Sequence, residues 1–112
     1  MDFKTGILVM MVGIAMLVIA MSSVNAAWTV AALSGDLENG PCNNYHSGTN
    51  SMSLCEDHIL EGGTADALAE AQGKSSKYHD KEEATFYYGW PYTVGAYARA
   101  ESTWAYASVY RY

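Results

Sequence analysis

The stretch VGAYARAESTWAYASVYRY, residues 94–112, decides the reading of the fold. Ala96, Ala98 and Ala100 occupy even positions, whereas Ala105 and Ala107 occupy odd ones. Period-two alternation is the mark of a β-strand with different chemistry on its two faces, and an uninterrupted strand cannot change parity without turning those faces over. The chain therefore either reverses near residues 101–103 or carries a β-bulge there. A single strand from residue 92 onward would run about 70 Å at about 3.3 Å per residue, well beyond ordinary strand lengths. The hairpin is the preferred form. A four-residue connection over residues 100–103 sets Arg99 opposite Trp104, Ala98 opposite Ala105, Tyr97 opposite Tyr106, Ala96 opposite Ala107 and Val94 opposite Val109. The alanines then share one face, while Tyr97 with Tyr106 and Arg99 over Trp104 share the other.

Upstream, ATFYY (residues 84–88) has the aromatic and threonine content of a strand, broken by Gly89 and Pro91. TADALAEAQG (residues 64–73) consists of good helix formers with Thr64 as a cap, yet Ala65, Ala67, Ala69 and Ala71 alternate strictly with larger residues. Taken alone, that stretch suits helix and strand equally. AWTVAAL (residues 27–33) is compatible with a buried strand, SGDLENGP (34–41) with turns, and KSSKYHDKEE (74–83) with a polar turn or loop. Ile59 and Leu60 make a brief strand or helical turn before Gly62 and Gly63.

The start of the chain reads as an address. Asp2 and Lys4 precede an apolar run over residues 6–20, and Val24-Asn25-Ala26 supplies small residues for cleavage before Ala27. This divides the chain into a signal peptide, residues 1–26, and a mature β-rich domain, residues 27–112. A retained anchor and a pilin-type start, processed after Gly6 with the apolar segment kept, are the two alternatives. The mature chain carries eleven acidic against five basic residues, which argues against nucleic acid or anionic lipid as partner. Most of the acids lie before residue 84, while seven of the nine tyrosines lie after it.

Cys42 and Cys55 are the two cysteines, and in an exported chain an even count favours a disulfide. Closing a loop of about 14 residues contributes about 3 kcal/mol by loop entropy. The alternative is a zinc site from Cys42-x3-His46 and Cys55-x2-His58. Asp57-His58, Ser51, Ser53 and His79 lack the flanking context of a catalytic nucleophile or dyad. The chain is read as a non-enzyme without cofactor or metal.

TADALAEAQG followed by VGAYARAESTWAYASVY resembles the alanine-alternating, tyrosine-rich, acidic secreted surface proteins of methanogenic archaea, including those of the tubular sheath around filamentous methanogens. The likeness covers residues 64–112 together with the signal peptide, and is one of texture rather than fixed motif. It implies β-rich subunits that polymerise outside the cell, and it tips residues 64–72 toward strand.

The expected fold is all-β: a small antiparallel sheet or sandwich with a C-terminal hairpin, a disulfide-stapled loop, strands extended across subunits, and an N-terminal signal helix. Alanine methyls bury little area, so an isolated domain of this size is thinly held, and the segment after Pro91 lacks lysine and proline as edge guards. The expected function is an extracellular structural protein that self-assembles through its strands into a cell-surface sheath or fibre. Its partners are copies of itself, with no membrane contact after signal cleavage. Ala96, Tyr97, Ala98, Arg99, Trp104, Ala105, Tyr106, Ala107 and Tyr110 are the expected contacts. The alternative is a secreted binding module that uses exposed tyrosines with Trp90 or Trp104.

Overall fold

The computed structural model describes residues 26–89 and 92–112. The expected leader, apart from Ala26, lies outside the described residues, as do Trp90 and Pro91. Among the described residues seven strands follow in order: β1 (Ala27–Gly35), β2 (Cys42–Gly48), β3 (Ser51–His58), β4 (Thr64–Gln72), β5 (His79–Tyr87), β6 (Thr93–Glu101) and β7 (Trp104–Arg111). They form two antiparallel sheets, one ordered β2-β1-β4-β5 and the other β3-β6-β7.

The alanines explain how two sheets of such small strands pack. Ala65, Ala67, Ala69 and Ala71 of β4 and Ala96, Ala98 and Ala100 of β6 are fully buried, and they belong to one core with Ala31, Leu33, Cys55 and Val94. With only methyl groups across the gap the backbones come close, and little side-chain entropy is lost on ordering. The interior also holds a polar contact, with the Thr29 and Ser53 hydroxyls 2.8 Å apart across the sheets. The alanine face thus finds its partner inside the same chain, where the sequence pointed to a neighbouring copy.

β6 and β7 form the expected hairpin, with a tighter turn. Ser102 and Thr103 alone connect them, so Glu101 pairs with Trp104, Ala100 with Ala105, Ala98 with Ala107 and Arg99 with Tyr106. The expected register was displaced by two residues because Ala100 and Glu101 belong to the ladder, not to the turn. Two-residue connections suit the twist of paired strands best. A shift of two preserves the faces, so Tyr97 still meets Tyr106 at 6.1 Å between ring centroids and Arg99 still lies 5.9 Å from the Trp104 ring, both now diagonally. Gly73 gives this turn room: a methyl group there would stand 2.8 Å from the carbonyl oxygens of Glu101 and Ser102.

Two segments read as loops are strands. The disulfide closes residues 42–55 as expected, but the arms of the closed segment are strands, β2 paired with β1 and β3 paired with β6, in different sheets. Cys42 and Cys55 are disulfide-bonded, so the bridge joins the two sheets and the thiolate zinc set is not formed. The polar stretch 74–83 turns only as far as Tyr78, after which Asp80 and Glu82 enter β5. Their side chains reach β7 of the other sheet: Asp80 Oδ2 accepts from the Ala107 amide and Glu82 Oε1 from the Val109 amide, each at 2.8 Å.

The sandwich is consequently closed on both sides. On one, the disulfide is joined by a 2.6 Å hydrogen bond from Asn44 Nδ2 to the Leu54 carbonyl. On the other, carboxylates occupy the edge amides of β7, a guard against strand addition that residues 92–112 themselves lack.

Candidate functional site

Alternation along β3, β6 and β7 sends one set of side chains into the core and the other onto an outer face that no described strand covers. Cross-strand pairing arranges that face in rows: Met52, Arg99 and Tyr106; Leu54, Tyr97 and Ser108; Glu56, Gly95 and Tyr110. Met52 is 55% exposed, Leu54 44%, Trp104 44% and Tyr106 45%. An apolar, aromatic face of this kind on a small domain is characteristic of a contact surface.

The face has two distinct ends. At one, Arg99 pairs with Glu101 at 3.7 Å and lies over the Trp104 ring, beside an open depression of about 470 Å³ lined by Arg99, Glu101, Thr103 and Trp104. The Trp104 and Tyr106 rings are nearly parallel, 6.4 Å apart with 9° between their planes. At the other end, the hydroxyls of Tyr110 and Tyr112 donate to the two oxygens of Glu56 at 2.7 and 2.8 Å. The Tyr110 ring crosses over Gly95, where any larger residue would strike it. An aromatic covering a cross-strand glycine restores the packing that the missing side chain leaves open.

This clasp has an electrostatic signature. Hydrogen bonds from Tyr110 and then Tyr112 hold the Glu56 carboxyl below its ordinary value. Burial, reinforced by the hydrogen bond to Glu56, pushes the Tyr110 phenol well up, while Tyr112 is raised chiefly by its bond to Glu56.

The expected contact residues separate by face. Tyr97, Arg99, Trp104, Tyr106 and Tyr110 come together on the outer surface. Ala96, Ala98 and Ala107 are buried in the core and Ala105 is partly buried against it, so these alanines are not available to a neighbouring copy. Met52 and Leu54 escaped the sequence reading. Their signal is the alternation within SMSLCEDH, where Ser51, Ser53 and Cys55 point inward.

The remaining titratable cluster has structural work. Glu38, Asp57 and His58 present ligand-type atoms within 4.8 Å of one another, with His58 Nδ1 3.5 Å from Glu38. Burial opposes ionisation of Asp57, but hydrogen bonds from the Asn39 amide, the His58 amide and Asn39 Nδ2 outweigh it and hold the carboxyl below its usual range. Asp57 thereby ties the β1–β2 connection to the end of β3. His46 is exposed on β2, away from that cluster.

Among the described residues no helix is long and apolar enough to cross a membrane. The chain matches no protein-family model, no curated protein and no solved structure.

Proposed function

We propose that the protein is an extracellular structural subunit that associates with copies of itself through the outer face of β3, β6 and β7. The observation that carries this reading is the exposed row of Met52, Leu54, Tyr106 and Trp104 on a molecule whose two lateral seams are closed internally. Association therefore runs face to face, not by adding strands at an edge. The face is self-complementary in charge, because Arg99 and Glu101 stand side by side on it, and a twofold arrangement sets each against its opposite on the other copy. The net charge of −6 makes other approaches of two copies repulsive. The disulfide suits an oxidising, extracellular setting. A twofold face closes as a dimer, so the sheath or fibre that the alanine–tyrosine texture implies is built from such dimers through a second contact.

Sedimentation of the oxidised protein across a concentration series, with electron microscopy of the concentrated material, tests the reading. Ordered association that Leu54→Glu or Tyr106→Glu abolishes, with the disulfide intact, is the expected result. A wild-type protein that stays monomeric at millimolar concentration overturns it.

The near-parallel Trp104 and Tyr106 rings favour one second reading, a module that stacks sugar rings on this platform. Saturable binding of a soluble oligosaccharide by a monomer, lost in Trp104→Ala, separates it from the first.

A further inference from the structure

Glu56 brings two phenols together on one carboxylate. Tyr110 and Tyr112 are two residues apart, so strand alternation sends both to the same outer face. Their rings are nearly parallel, 6.0 Å between centroids with 11° between planes. The Tyr110 hydroxyl donates to Glu56 Oε2 at 2.7 Å and the Tyr112 hydroxyl to Oε1 at 2.8 Å. Tyr97 and Tyr106 stand about as near, at 6.1 Å, but are tilted by 59°. Both members of the first pair are held in place. The Tyr110 ring fills the space that Gly95 leaves, and Tyr112 continues the ladder past β7, exchanging backbone hydrogen bonds of 2.7 and 2.9 Å with Thr93. Tyr112 is nevertheless 71% exposed, so the pair is both ordered and open to solvent.

A phenol gives up an electron easily only when its proton leaves at the same time, because the oxidised phenol is a very strong acid. Each phenol here has a carboxylate oxygen within hydrogen-bond distance to take that proton, and Glu56, itself exposed, passes it to water. Rings already side by side also replace a chance encounter of two radicals by an intramolecular step. We propose that Tyr110 and Tyr112 are a site of oxidative coupling, joined into a dityrosine by a one-electron oxidant of the peroxidase and hydrogen peroxide class. Each phenol loses one electron to the oxidant and one proton through Glu56 to water. The two phenoxyl radicals then form one carbon–carbon bond between ring positions ortho to the oxygens. The hydrogen on each of those carbons moves to the oxygen of its own ring, which restores both phenols. Two electrons and two protons leave in all, and they reduce one hydrogen peroxide to two waters. The product is a covalent loop around Arg111 that fixes the end of the β7 ladder beside β3. It forms within one chain and does not depend on the association proposed above.

Treatment of the dilute, disulfide-bonded protein with a peroxidase and hydrogen peroxide tests it, read by dityrosine fluorescence, intact mass and peptide mapping. The expected product is a single chain lighter by two hydrogens, with the link mapped to residues 110 and 112. Tyr112→Phe abolishes that link, and its exposure makes the substitution safe for folding. Tyr106→Phe, on the same face, leaves the yield unchanged. Glu56→Gln keeps a hydrogen-bond acceptor but not the base, and slows coupling on the order of a hundredfold, the low end for a positioned proton acceptor. The wild-type rate also falls as acid protonates Glu56, a dependence that Glu56→Gln lacks and that a merely structural role for the carboxylate does not produce. Links found only between chains or only at other tyrosines overturn the proposal, as does coupling in Glu56→Gln at the wild-type rate.

Discussion

The Asp80 carboxylate of β5 accepts a hydrogen bond from the backbone amide of Ala107 in β7, 2.8 Å away and in the opposite sheet. Glu82 repeats the contact two residues along, on the Val109 amide. Two charged residues of an apparently solvated stretch therefore do the work of a missing neighbour strand.

Replacing both, as Asp80→Ala with Glu82→Ala, leaves two edge amides without acceptors and costs about 1 kcal/mol for each. Amide exchange at Ala107 and Val109, followed by NMR, accelerates while exchange in the β1–β4 ladder changes little. The double variant also sediments as heterogeneous aggregate, because its β7 edge is open to strand addition. Unchanged exchange at both positions contradicts the edge-guard role.

Reduction of Cys42–Cys55, or the pair Cys42→Ser and Cys55→Ser, lowers the unfolding free energy by about 3 kcal/mol. Urea denaturation with and without reductant measures this. The loss exceeds that from Asn44→Ala, which removes the adjacent 2.6 Å bond to the Leu54 carbonyl and the weaker 3.7 Å contacts from the same amide to the two sulfurs.

Gly95→Ala pushes a methyl group into the Tyr110 ring and costs about 1–3 kcal/mol by overpacking. Because the ring must move, its hydroxyl leaves Glu56. The Glu56 carboxyl then titrates closer to its ordinary value in an NMR pH series, whereas Gly89→Ala, at an open position, leaves it unchanged.

Stability has an acidic and an alkaline limit set by these groups. Glu56 and Asp57 have folded pKa values below their unfolded ones, so their contributions are present above about pH 4 and vanish as pH falls through the folded values. Tyr110 is shifted the other way, so its contribution is complete below about pH 10 and is lost as pH rises toward its folded value. Denaturant midpoints against pH should show a plateau between these limits. Asp57→Asn weakens the acid dependence and Tyr110→Phe the alkaline one.

Much of this architecture was legible from residue order. The parity change between Ala100 and Ala105 located a reversal, and strict alternation in residues 64–72 outweighed good helix formers once it had a sheet to join. The turn length was harder, because Glu101 and Ala100 carry no turn chemistry of their own and the ladder continues through them. β2 and the first half of β5 were hidden for another reason. Their strand conformation is imposed by partners, β1 and Val30 for Tyr45, β7 amides for Asp80 and Glu82, and propensity cannot register a partner distant in sequence. The aromatic half of the exposed outer face was readable from residues 97–110, whereas Met52 and Leu54 lay in a segment whose polar composition masked its alternation.

The two seams of the sandwich differ in kind, one covalent and the other made of hydrogen bonds to two carboxylates. The molecule is thus bound like a book, with its spine at Cys42–Cys55 and its clasp at Asp80 and Glu82. Heat, denaturant or tension across the sheets opens the clasp first, and the leaves swing about the spine without parting. A molecule that yields in this way keeps its two sheets in register and can close again from the same side.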